Sequence, residues 1–526
     1  MRSLLVISVL MLVGCSQPSE SVTKVDLLIS GGLVYDGSGS VPIVTDVAVD
    51  DGRIVFIGDA AAEGIGSDDV VDADGLWVAP GFVDAHSHAV LDEDYGRDAI
   101  PFLKQGITTV VLGMDGIGTS DVQERLDAWD ENGIGVNGIH FVGHGYVRNA
   151  VMGHEDRAPS DDELEAMRQL VRKGMQEGAF GLSTGLFYVP GTYASTEEVI
   201  ELGKVAAEFD NAIYDTHDRD LGAVYQGVGY EASVREAIRI TEEAGLRGIF
   251  SHYNLQGAHN YGRAELGTKL INDARDRGVD IWAAHHPYTA TMTNLRAYTI
   301  PYWASAGGEE EMVSRFDDEA VSAEIRSDTD AMLQIRGGAE KIMFVDSRPD
   351  LNGKTLAQVS SERELSPAET VQWILRDGNA WVMNLDLYDH DNTRRLAQEP
   401  WMMTCTDGVT PREDQPITHP RTFGSYPKKM RHFVFEEALL EPEFVIRSFS
   451  GLAADFYNLP DRGYLRKGYI ADIVVIDPKN YRDNTTYDEP RLLSDGVVHA
   501  LVNGEYAIKD NDATGALAGR ALRPVR

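Results

Sequence analysis

The stretch Pro80-Gly-Phe-Val-Asp-Ala-His86-Ser-His88 closes an apolar run that begins near Leu76. A strand places residues i and i+2 on one face, so His86 and His88 project together from its C-terminal tip, with Asp84 one pleat behind. Two imidazoles side by side begin a divalent-metal site. A fold that uses them must bring further ligands to the same end of its sheet.

The chain that follows is built to do so. Apolar runs near 107–111, 138–142, 178–182, 212–214, 248–250, 280–283 and 401–404 alternate with helical stretches. Two helices start at Asp162 and at Thr196, the second opened by a Ser-Thr-x-Glu cap pattern. With the strand before His86, repeated βα units predict an α/β chain whose residues 79–463 form a (β/α)₈ TIM-like barrel. Catalytic groups of such a barrel sit at the C-terminal strand ends. The interval before the last strand is too long for one helix and holds the acidic stretch Glu309 to Asp330, which predicts a helical insertion over about 293–350. Short alternating strands with Asp-Gly turns fill 25–78, and a matching set returns over 464–510. Both ends of the chain are expected to close on one small β-sandwich domain.

A formal charge of -37 argues against nucleic acid and against adhesion to anionic headgroups. Met1-Arg-Ser and the apolar run Leu4 to Val13 suit a signal peptide over 1–14 and are too short to span a bilayer. The run ends in Leu12-Val-Gly-Cys15, which resembles a bacterial lipobox. Lipidation of Cys15 with a tether over 15–24 would give a periplasmic, membrane-anchored protein, and Ser16 resembles the outer-membrane sorting pattern. Cys405 is the only other cysteine, so the mature chain forms no internal disulfide.

Metal-ligand residues recur at the ends of the predicted strands: Asp115, His217, His252 and Asp407, one per strand end. Imidazoles with carboxylates suit zinc or another first-row divalent ion, one or two of them. At this point a resemblance emerges. The first-strand motif is similar to that of the amidohydrolase superfamily. Gly178-Ala-Phe-Gly-Leu-Ser-Thr-Gly-Leu-Phe-Tyr188, Thr216-His-Asp-Arg219, Gly143-His-Gly, Thr406-Asp-Gly and His419-Pro-Arg421 resemble its N-acyl-D-amino-acid deacylase (D-aminoacylase) branch. The resemblance implies a metal-dependent hydrolase of N-acyl-D-amino acids or related small amides. It also implies His217, His252 and Asp115 as the tighter metal site, His86 and His88 as a weaker one, and Asp407 as ligand and general base/acid.

The chain departs from that branch in places. Met114-Asp115-Gly116 stands where the branch has Asn-Cys-Gly, so a carboxylate replaces a thiolate. Asn254 stands where the branch tends to carry a cation for the substrate carboxylate, which leaves Arg219, Tyr288 or Arg421, with Asn254 and Tyr188, as the expected substrate contacts. His285 and His286 point to opposite faces of a strand, so at most one enters the site. Physically, a bound metal lowers the pKa of water from about 15.7 to about 7, and one carboxyl can carry its proton to the amine leaving group. Two alternatives remain at this stage. One is a cyclic amidase of the dihydroorotase or hydantoinase type, which usually brings a carboxylated lysine; Ser183 and Thr184 follow the fourth-strand run instead. The other is a lipoprotein that binds metal or peptide without turnover.

Overall fold

The computed structural model describes residues 22–525; the signal peptide, Cys15 and most of the tether lie outside them. Ile107–Leu112 is buried at every position, as expected of a parallel strand covered on both faces. It pairs with Phe82–Asp84 on one side and Asn137–His140 on the other, all parallel. A second parallel sheet runs in the order Val142–Gly143, Gly181–Gly185, Ile213–His217, Arg247–Phe250, Ile281–His285, Met402–Thr404. Backbone hydrogen bonds link the two sheets at both edges. Phe180 N donates to His140 O at 3.0 Å, and at the other edge Ala85 N donates to Thr404 O at 3.3 Å and Asp407 N to His86 O at 2.9 Å. Val83, Ala85, Val111, Ile139, Ile213, Ile249, Met403 and Cys405 share one buried cluster, so the strand ends rest on a packed floor.

The connecting helices begin where their caps dictate. Ser160 and Glu163 form a reciprocal capping box on Asp161–Gln176, with three acidic residues in the first turn. Ser195 accepts from Glu198 N at the head of Thr196–Ala206.

Strands from the two terminal segments pair: Ile473–Ile476 runs antiparallel to Trp77–Pro80. The strands expected to form the sandwich are bonded into one continuous nine-stranded sheet. The reason lies in Leu27–Val34, whose register shifts between Ile29 and Gly32. Its first half pairs with Val70–Asp72 and its second with Trp77–Pro80, so the sheet bends at this strand. Gly31 takes φ 72° at that bend, and a Cβ on Gly32 would meet Val78 Cγ2 at 2.5 Å.

The insertion is larger than the acidic helices suggest. It carries an antiparallel sheet of Thr291–Asn294, Trp381–Asn384 and Ile342–Phe344. Helices Glu319–Ile335 and Pro367–Leu375 pack with it in a separate core that includes Ile325, Phe344, Val371 and Leu375. It thus runs well past position 350, because strands of three and four residues are too short to show a period in the sequence.

Candidate metal centre

Asp84 fixes the first strand end. Its Oδ1 accepts from Thr406 N at 2.8 Å, and its other oxygen accepts the Thr406 hydroxyl. Burial pushes the carboxyl up to about 7, with the Thr406 bonds opposing that rise. The first and last strands are thereby locked side by side, and His86, His88 and Asp407 follow directly from them.

Three of the candidate ligands sit in the left-handed backbone region: Asp115 at φ 54°, Asp407 at φ 50° and His252 at φ 28°. Such residues cost about 1–3 kcal/mol each and cluster where side chains are aimed for function. Gly116 lets the turn after Asp115 pass close to the neighbouring strand, since a Cβ there would lie 2.8 Å from Gly185 N.

The geometry converges. His86 Nε2 is 3.7 Å from Asp115 Oδ1 and 3.5 Å from Asp407 Oδ1. His88 Nε2 is 3.3 Å from Asp115 Oδ2 and 3.4 Å from Asp407 Oδ1. His252 Nε2 lies 3.7 Å from Asp115 Oδ1. His86, Asp115 and His252 form one set of donors able to hold an ion, and His86, His88 and Asp407 form another. His217 stands further out, its ring 4.5 Å from that of His252 and stacked on Phe187. Its Nδ1 is held at 3.0 Å from Asp218 O, which leaves Nε2 as its ligand atom.

The electrostatics call for a cation. Burial raises the Asp115 carboxyl, but His86, His252 and His88 outweigh it and hold the group well below the usual range. Burial likewise lowers His88, and the facing carboxylates push it up to about 10. Both ring nitrogens of His86 and Oδ1 of Asp115 are buried without a hydrogen-bond partner. A buried polar atom left so costs about 1–3 kcal/mol, and a divalent ion would satisfy these atoms.

The set opens into a cavity of ≈ 460 Å³ lined by His88, Asp115, His217, His252, Asp407 and Arg421 on one side. Tyr188 also lines it, its hydroxyl receiving a hydrogen bond from Thr293 Oγ1 at 3.2 Å. Arg421 is buried with its NH1 2.5 Å from Asp407 Oδ2. A more open hollow of ≈ 590 Å³, around Gly229 and Arg263, contains none of the six candidate ligands.

Three expected substrate contacts are engaged elsewhere. Arg219 forms a bidentate pair with Glu236 at 2.8 Å and donates to the carbonyls of Thr192 and Ala194. It holds loops together and does not face the cavity. Replacing it by Met strands a largely buried Glu236 carboxylate and costs about 3 kcal/mol, the lower end for breaking a buried pair. Thermal unfolding should therefore come at lower temperature with KM unchanged, and a raised KM at unchanged stability would restore Arg219 as a substrate contact. Asn254 is buried, donating to Thr393 Oγ1 at 2.9 Å and capping Leu255 N at 2.8 Å. Tyr288 is buried too, its hydroxyl 3.3 Å from Thr485 Oγ1. Of the paired histidines, His286 approaches Arg421 NH1 at 3.4 Å, whereas both ring nitrogens of His285 have no hydrogen-bond partner. His144 bonds Glu198 at 3.0 Å.

The opposite wall was not legible in the sequence. It comes from the insertion and includes Thr293, Arg296, Tyr298, Trp381 and Tyr388. Arg296 is half-buried there, and its guanidinium makes no ion pair or hydrogen bond among the described residues. No local pattern marks it, because its position depends on how the insertion folds back.

The sequence profile of the amidohydrolase family matches residues 69–508. A D-aminoacylase of Alcaligenes xylosoxydans xylosoxydans is 32% identical over 523 residues, covering 94% of this chain and 97% of that protein. An N-acyl-D-aspartate deacylase of the same organism is 32% identical over 540 residues, covering 96% of each chain. Among solved structures, a D-aminoacylase described as defining a novel subset of amidohydrolases is 28% identical, with TM-score 0.81 over 95% of this chain and 100% of that one. The N-acyl-D-glutamate deacylase of Bordetella bronchiseptica, complexed with zinc and a phosphonate mimic of the tetrahedral intermediate, is 28% identical, with TM-score 0.80 over the same shares. This chain belongs to the amidohydrolase family, in its D-aminoacylase branch.

Proposed function

We propose that the chain is a metal-dependent hydrolase that cleaves the N-acyl amide bond of N-acyl-D-amino acids. The observation that carries this reading is the convergence of His86, His88, His252, Asp115 and Asp407 at 3.3–3.7 Å beside a small-molecule cavity. The edge-to-edge hydrogen bonds between the two parallel sheets support reading them as one closed (β/α)₈ barrel with these residues at its mouth. The Leu12-Val-Gly-Cys15 motif supports placing the enzyme on the periplasmic side of a bacterial envelope, anchored through Cys15.

Asp115 and His252 would hold one divalent ion, zinc as in the related deacylase structure, with His217 within reach of it. His86, His88 and Asp407 would hold a second. When bound, such an ion polarises the amide carbonyl and lowers the pKa of water from about 15.7 to about 7. Asp407 Oδ1 faces the centre while Arg421 restrains Oδ2. That division aims one oxygen to take the proton from attacking water and return it to the departing nitrogen. Arg421 and Arg296 supply positive charge around the cavity for a carboxylate-bearing substrate. The cyclic amidase reading loses support at Ser183. Where that class brings its lysine, this strand has a serine that donates to Gly113 O at 2.6 Å.

A hydrolysis screen of purified, metal-analysed protein tests the proposal. N-acyl-D-amino acids should turn over, with N-acyl-L-amino acids and cyclic amides slower or inert. In Arg296→Met, KM for a carboxylate-bearing substrate should rise roughly 10–100-fold, at about 1.4 kcal/mol per tenfold, and change little for a neutral analogue. Turnover of cyclic amides alone would sink the deacylase reading.

A further inference from the structure

Away from the cavity, the described residues gather one more set of metal-type donors: His390, His432 and Glu437. His390 begins helix His390–Leu396, while His432 lies in the π-helical turn Arg431–Glu436 and Glu437 caps it. In an α-helix, residues five apart point about 140° away from each other. Here Glu437 N donates to His432 O at 3.0 Å. This i→i+5 bond turns His432 and Glu437 onto one face. Such π turns are rare and occur often at functional sites.

The three donor atoms form a small, nearly regular triangle. His390 Nε2 and His432 Nε2 lie 3.2 and 3.3 Å from Glu437 Oε1, and 3.3 Å from each other. A tetrahedral zinc with bonds of about 2.0–2.1 Å holds its ligands about 3.3–3.4 Å apart, which is this spacing. The flanking contacts point the same way. Arg394 Nε occupies the other Glu437 oxygen at 2.6 Å, leaving Oε1 for an ion. Glu436 Oε2 sits 3.2 Å from His432 Nδ1, on the far side of the ring from Glu437. A carboxylate behind the imidazole is also the arrangement that orients metal-ligating histidines.

We propose that His390, His432 and Glu437 form a further divalent-metal site, facing solvent and separate from the catalytic centre. It would take zinc or another borderline ion and leave the fourth position to water. His390 lies two residues after Tyr388 of the cavity wall, and His432 lies just past helix Arg421–Met430, which begins with the cavity's arginine. An ion there would tie the trailing end of the insertion to the segment carrying Arg421.

Zinc binding to the full chain tests this directly. Wild type, His390→Gln, His432→Gln and Glu437→Gln are stripped with chelator, reloaded with zinc, dialysed and measured by elemental analysis. Each variant should hold one equivalent less than wild type, and the rise in Tm on adding zinc should shrink. Equal zinc in all four proteins would overturn the site. Should a substitution impair folding, seen as a changed circular dichroism spectrum, anomalous diffraction at the zinc edge from wild-type crystals decides. A peak bonded to both Nε2 atoms supports the assignment, and its absence removes it.

Discussion

Asp407→Asn should lower kcat by about 10²–10⁴-fold, the range that a positioned general base and acid contributes, with at least one equivalent of metal retained. The amide is nearly isosteric, so its oxygen can still accept from Arg421 NH1, which pairs with Asp407 Oδ2 at 2.5 Å in the native protein. That orientation turns an NH₂ group toward His86 and His88, where Oδ1 now stands at 3.5 and 3.4 Å. The site keeps its shape and loses its proton carrier. Burial raises the native carboxyl, but Arg421, His252 and the paired histidines outweigh it and keep the group ionised well below the usual range. It is therefore in its accepting form at neutral pH before substrate arrives. The His86–Asp115–His252 set does not include Asp407, so an ion there should survive. Single-turnover kinetics with elemental analysis on the same sample separates the outcomes. Unchanged turnover removes the proton-carrier role, and loss of all metal reassigns Asp407 as a structural ligand.

What the sequence disclosed follows from which signals are local. His86 and His88 were readable because strand period alone puts them on one face. Asp115, His217, His252 and Asp407 were readable because each ends an apolar run, and a parallel sheet gathers such ends. Arg219 misled for the opposite reason. Its neighbour His217 belongs to the site, but its own partner Glu236 lies on helix Tyr230–Ala244, and nothing near Arg219 announces that pairing. Asn254 and Tyr288 are satisfied by Thr393 and Thr485, more than a hundred residues away. The far cavity wall was hidden because its strands are too short to register as a pattern. The terminal strands were legible as alternating runs, but the register shift within Leu27–Val34, which bends the sheet, leaves no local pattern.

Asp115 is where this chain departs most consequentially from its branch, and removing it should have the largest effect on metal. Among the described residues, its carboxylate alone lies within 4 Å of His86, His88 and His252 together, at 3.7, 3.3 and 3.7 Å. Asp115→Ala removes the carboxylate facing His252 and leaves Asp407 Oδ1 as the carboxylate oxygen facing His86 and His88, so the bound metal should fall by at least one equivalent. The loss in kcat/KM should exceed the 10–100-fold that follows removal of a mere supporting partner. Alanine also fits poorly at φ 54°, so stability alone could confuse the result. Asp115→Asn removes that ambiguity, because asparagine tolerates the left-handed region and keeps the side-chain shape while deleting the charge. It too should lose metal, with Tm in chelator close to wild type. Asp115→Cys supplies a soft thiolate in place of a hard oxygen and should restore zinc in preference to manganese. Metal-to-protein ratios across the three variants test the assignment as a set. If Asp115→Asn retains a full complement and turns over like wild type, the Asp115 carboxylate is no ligand and the centre must rest on the histidines and Asp407.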